Sequence, residues 1–99
     1  MNLLIFISLV DTIPPMCVNL PSNVVEVVEL GEAGTLVSWT EPTCSDVSGA
    51  GFVTGRSHTP FSFFEVGITL VTYTCSDAAG NSESCSFPVT VIASKEVRR

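Results

Sequence analysis

Residues 69–93 read TLVTYTCSDAAGNSESCSFPVTVIA. In Thr69–Cys75, Val71, Tyr73 and Cys75 fall on one side of an extended chain, and Leu70, Thr72 and Thr74 fall on the other. In Cys85–Ala93, Cys85, Phe87, Val89 and Val91 share a face. Period-two alternation marks a strand with one buried face. Between the runs, Ala78–Ala79–Gly80–Asn81 supplies a turn. Pro88 cannot donate a main-chain hydrogen bond, so its strand needs an open edge or a bulge there.

Outward from this stretch the same signals recur. Strand-like runs are expected at Asn23–Glu29, Thr35–Thr40, Phe52–Ser57 and Phe61–Val66, separated by Gly, Pro and Asp turns such as Asp46–Gly51. Helical periodicity nowhere persists for three turns. The expected fold is an immunoglobulin-like antiparallel β-sandwich of about seven strands with two disulfides. Its expected core is Val37, Trp39, Val71, Tyr73, Phe87 and Val89; Phe61, Phe63 and Phe64 also read as core. Tyr73 two residues before Cys75 is similar to antibody domains. Trp39 precedes Cys44 instead of lying between paired cysteines, so the sandwich is expected and the antibody family is not.

Ninety-nine residues hold one domain. Residues 1–10 contain the apolar run Leu3–Val10, too short to span a membrane. They read as a signal-like remnant or a non-native start, followed by a domain at 11–93 and a charged tail at 94–99. The prolines of DTIPP, Asp11–Pro15, suit an extended lead into the first strand. Net charge is −6, and three of the four basic residues, Lys95, Arg98 and Arg99, lie in the tail. The acidic body repels a phosphate backbone, which argues against nucleic acid as a partner.

The sequence TCSD occurs twice, at Thr43–Asp46 and Thr74–Asp77, and each copy carries one of the four cysteines. Cys17, Cys44, Cys75 and Cys85 form no CxxC pair, so zinc is not expected. Nor is nucleophilic catalysis: His58 is the single histidine, and an aspartate two residues after Cys44 and Cys75 disfavours a thiolate. Two disulfides in an oxidising compartment fit better. Four cysteines allow three pairings. Cys17–Cys85 with Cys44–Cys75 closes loops of roughly 70 and 30 residues, worth about 4.4 and 3.7 kcal/mol in the chain-entropy model, against about 3 for a ten-residue Cys75–Cys85 loop. The pairing Cys17–Cys75 with Cys44–Cys85 separates the two echoing segments. Asp46, Asp77 and Asn81 offer hard oxygens for calcium, though without a DxDxDG array; in turns such side chains more often bond their own backbone.

Together, DTIPPMC, VSWTEPTCSDVSG at Val37–Gly49, SHTP around His58 and FEVGITLVTYTCSDAAGNSESCSFPVTV at Phe64–Val91 resemble the hyalin-repeat (HYR) domain. The resemblance spans about residues 11–91, with its most specific part in the Val71–Val89 run. It implies an immunoglobulin-like module of extracellular mosaic proteins, beside sushi or EGF-type modules and associated with adhesion. It also implies the Cys17–Cys85 pairing, leaving Cys44 and Cys75 in matching segments for a second bridge. Val18 stands where the family often has proline, and Val47 where it has asparagine; Pro88 and the heavy Phe61–Phe64 cluster are further departures.

The expected function is a non-catalytic extracellular interaction module in cell adhesion or matrix binding, with a passive spacer between domains as the alternative. The expected partners are an extracellular protein or matrix ligand and neighbouring modules, with no cofactor, no nucleic acid and no membrane insertion.

Overall fold

The computed structural model describes residues 13–46 and 49–94. The apolar leader, Val47 and the tail from Lys95 lie outside the described residues.

The long hairpin is the backbone of the fold. β7 (Gly67–Asp77) and β8 (Ser82–Ala93) pair antiparallel from Gly67↔Val91 to Ser76↔Ser82. Alternation sends Val71, Tyr73, Cys75, Phe87, Val89 and Val91 inward, where all are buried. The opposite face carries hydroxyls that bond across the strands, Thr72 to Ser86 at 3.0 Å and Thr74 to Ser84 at 3.4 Å. Cross-strand pairs of this kind contribute about 0.2–1 kcal/mol each.

The remaining strands assemble on this hairpin. β5 (Gly49–Arg56) pairs with β7, with a register slip between Val53 and Gly55. β4 (Thr43–Asp46) pairs with β5, and β1 (Met16–Val18) with β4. β2 (Val24–Val28) runs parallel to β8 on its other side. The sheet order is therefore β1-β4-β5-β7-β8-β2. β3 (Gly34–Val37) and β6 (Ser62–Glu65) form a separate two-stranded sheet.

The six-stranded sheet folds back on itself at β5. Strands two places apart in a flat sheet stand about 9–10 Å apart, yet Cys44 in β4 and Cys75 in β7 have Cα atoms 5.7 Å apart. Cys17 in β1 and Cys85 in β8, four places apart, are 6.5 Å apart. At the fold lies Gly51, where an added Cβ would stand 3.1 Å from Cys44 Cβ and 3.2 Å from Pro15 Cβ. One layer is thus β5-β7-β8-β2. Opposite it lie β1–β4 towards the β7–β8 turn and β3–β6 towards the other end.

Val37, Phe64, Val71, Tyr73, Phe87, Val89 and Val91 form one buried cluster, with Leu20, Val24, Val28, Trp39, Val53 and Cys85 packed against it. Trp39 meets Phe64 and Phe87 edge-on, with centroids 5.8 and 5.4 Å away. Such pairs add about 0.5–1.5 kcal/mol beyond area burial.

Several local expectations need correction. The described residues hold eight strands, in keeping with the expected number, and the first TCSD is one of them, β4. Asp46 pairs with Gly49, which confines the connection to two residues. β3 stops at Val37, short of Thr40, because its partner β6 begins only at Ser62. Phe61 caps the ladder instead, its N–H bonding to Val37 O at 2.8 Å. Pro88 is tolerated for a reason visible in the register. β2 first meets β8 at Val24↔Val89, so β8 is still an edge at Pro88.

Candidate interaction surface and the cysteine pair

The two TCSD segments are joined. Cys44 bonds Cys75, Cys17 bonds Cys85, and the described chain has no free cysteine. Cys17 and Cys44 are direct cross-strand neighbours. The two bridges touch, with Cys17 Sγ 3.6 Å from Cys75 Sγ. Together they form a sulfur-rich plug under the β7–β8 turn, and Cys75 is fully buried.

The aspartate of the second copy sets that turn. Asp77 is buried, and its Oδ1 accepts from Ala79 N–H at 3.0 Å and from Asn81 N–H at 2.9 Å. Asn81 Nδ2 donates to Asp77 Oδ2 at 3.1 Å and to Ile13 O at 3.5 Å. Gly80 takes φ +94, a left-handed conformation that glycine adopts without a Cβ penalty. Asp77 and Asn81 therefore meet, whereas Asp46 sits at the end of β4. Among the described residues no three His, Cys, Asp or Glu side chains converge as a metal would require.

A polar chain runs from the core to the surface. Trp39 Nε1 donates to the Tyr73 hydroxyl at 2.8 Å, and that hydroxyl donates to Glu41 Oε2 at 2.8 Å. Arg56 Nε pairs with the same oxygen at 2.8 Å, and its guanidinium lies 5.6 Å from the Tyr73 ring centre. Burial pushes the Tyr73 hydroxyl above its ordinary value, and Glu41 adds to the rise against the opposing pull of Trp39 and Arg56. Sequence reasoning missed Glu41 and Arg56. The available signal was that a buried tyrosine and tryptophan each need a polar partner.

His58 is half-buried against Phe64, and its Nδ1 lies 2.7 Å from Ser57 Oγ. Ser57 Oγ also accepts from Thr72 N–H at 2.9 Å, which ties the pair to β7 as a strand-end anchor.

The outward faces carry more apolar surface than the alternation within β7 and β8 alone requires. On the large layer, Val25, Val27, Ile68, Leu70 and Ile92 are all exposed, Ile68 at 76%. The registers Val25↔Thr90↔Ile68 and Val27↔Ile92 place them on one face across three strands, with Leu70 beside Pro88. On the small sheet, Leu36 and Phe63 form an outward cross-strand pair. Of the three clustered phenylalanines only Phe64 enters the core. Phe63 turns out over Gly34, and Phe61 stands 75% exposed at φ +66.

The family model of the HYR domain matches residues 10–91. The chain belongs to the HYR domain family. This HYR domain is 46% identical over 89 residues to hyalin of Strongylocentrotus purpuratus, covering 88% of this chain and 7% of that protein. It is 42% identical to hyalin of Lytechinus variegatus, covering 84% of this chain and 16% of that protein. A sushi, von Willebrand factor type A, EGF and pentraxin domain-containing protein of Rattus norvegicus is 36% identical, covering 87% of this chain and 2% of its own length. The chain thus spans a small fraction of the curated relatives it matches. No solved structure matches it significantly.

Proposed function

We propose that this HYR domain is a non-catalytic extracellular interaction module that binds a protein or matrix ligand in adhesion, as one domain of a larger mosaic protein. The observation that carries the reading is the outward strip of Val25, Val27, Ile68, Leu70 and Ile92. Contiguous exposed apolar surface of this kind marks interaction sites on soluble domains. The multidomain names and far greater lengths of the relatives support a place among other modules. The paired cysteines support an oxidising, extracellular setting. The test is retention of cells or matrix on the immobilised oxidised domain, compared with the same domain reduced and unfolded. Equal retention on both would contradict the reading.

A passive spacer is the second reading, favoured by where the chain enters and leaves. Ile13 O meets Asn81 at the β7–β8 turn, whereas Ser94 N–H bonds Val28 O at the far end of β8. Entry and exit are thus separated by the length of the hairpin, about 40 Å. A spacer retains no more ligand than the unfolded control.

A further inference from the structure

The open edge of the large sheet has a specific chemical pattern. Among the described residues β2 pairs only with β8 and ends the sheet order. Ser94 N–H bonds Val28 O. In a parallel ladder alternate residues turn both main-chain groups to the same neighbour, so Val24, Glu26 and Val28 serve β8. Val25 and Val27 therefore turn their N–H and C=O groups to the open side, a template for another strand. Their side chains lie on the outward apolar face beside Thr90 and Ile92. Glu26, in register with inward-facing Val91, projects on the other side and is exposed at the rim.

Charge decides what fits this edge. Among the described residues Arg56 is the one basic side chain, and it is engaged by Glu41. Glu26 and the neighbouring Glu29 are exposed acids. A second copy pairing antiparallel about the centre of β2 would set Glu26 directly opposite its own counterpart, and like charges so placed are destabilising. A basic residue there is favourable instead.

We propose that β2 is a docking edge that adds an extended strand of a partner protein with apolar–basic–apolar alternation. The basic residue lies opposite Glu26, and the apolar residues lie opposite Val25 and Val27. Main-chain bonds to Val25 and Val27 give affinity, and the alternating side chains give selectivity. This rests on the interaction-module reading above and names its partner class.

The test titrates the oxidised domain with three capped heptapeptides: Val/Lys alternating, Val/Glu alternating, and a Val/Lys peptide of scrambled order. Amide NMR shifts report the site, and fluorescence anisotropy reports affinity. The expected result is shifts centred on residues 24–28 and at least tenfold tighter binding of the alternating basic peptide than of either control. Glu26→Lys should invert the preference towards the acidic peptide. Val27→Pro removes the open-edge N–H while keeping an apolar side chain at that position, and should abolish binding while leaving the remaining amide spectrum folded. Shifts centred elsewhere, equal binding of the acidic peptide, unaltered binding by Val27→Pro, or a dimer built through β2 in the free protein would each overturn the proposal. Matrix binding that survives in Val27→Pro overturns this edge and leaves the module reading standing. Peptide binding centred on residues 24–28 without matrix binding by the unaltered domain strikes the adhesion reading and leaves the docking edge standing.

Discussion

Cys17 and Cys75 belong to different disulfides, yet their sulfurs lie 3.6 Å apart. The bridges therefore act as one packed unit at the point where the sheet folds back. Replacing Cys44 and Cys75 together by Ala should lower stability by about 2–4 kcal/mol. Because the bridges touch, removing both should depart from the sum of the separate losses by at least about 0.5 kcal/mol. Urea unfolding of the two double variants and the quadruple variant measures this. Strict additivity would show that the contact carries no coupling.

Asp77 holds the β7–β8 turn with three accepted hydrogen bonds, two at Oδ1 and one at Oδ2. Asp77→Ala leaves those donors without this acceptor in a buried site and should cost about 2 kcal/mol or more. The same bonds hold the turn without a cation, so Tm should agree in EDTA and in millimolar Ca2+. A rise of several degrees on adding Ca2+ would show that a cation binds the folded domain and would contradict this account of the turn.

Tyr73 links stability to alkaline pH. Its hydroxyl is raised above 10.0, chiefly by burial, so the unfolded chain releases the proton first. Its stabilising contribution is complete below about pH 10 and is lost as pH rises from there through the folded value. Tyr73→Phe should be less stable at neutral pH, having lost its bonds to Trp39 and Glu41, yet should show a shallower decline above pH 10. Thermal unfolding at pH 7 to 11 checks both, and parallel curves for the two proteins would contradict the assignment.

Gly34 is buried beneath the ring of Phe63. An added Cβ would overlap Phe64 O and stand 2.8 Å from Glu65 Cα and 2.9 Å from Phe63 Cζ. Two of those neighbours are backbone and cannot swing aside. Gly34→Ala should therefore cost about 1–3 kcal/mol through overpacking, read as a lower urea midpoint. An unchanged midpoint would show that β3 and β6 separate freely.

The hairpin and its buried face were legible because an uninterrupted period of two over β7 and β8 admits few other readings. The Cys17–Cys85 and Cys44–Cys75 pairing followed the resemblance, since spacing alone left three arrangements open. Both TCSD segments are the last four residues of a strand, β4 and β7, and the sequence repeat alone did not say so. Adjacent Phe63 and Phe64 cannot both face inward on a strand, and local composition did not reveal that Phe61 sits outside β6. The Glu41–Arg56 pair left no local trace, because fifteen positions of sequence and a bulged strand separate its members.

The most direct measurement compares ligand retention by the oxidised domain with retention by Ile68→Ser/Leu70→Ser/Ile92→Ser, a variant altered only on the outward apolar strip. The expected result is at least a tenfold loss of cell or matrix binding with both disulfides and the folded amide spectrum retained. Undiminished binding by that variant would contradict the claim that this HYR domain works through that face.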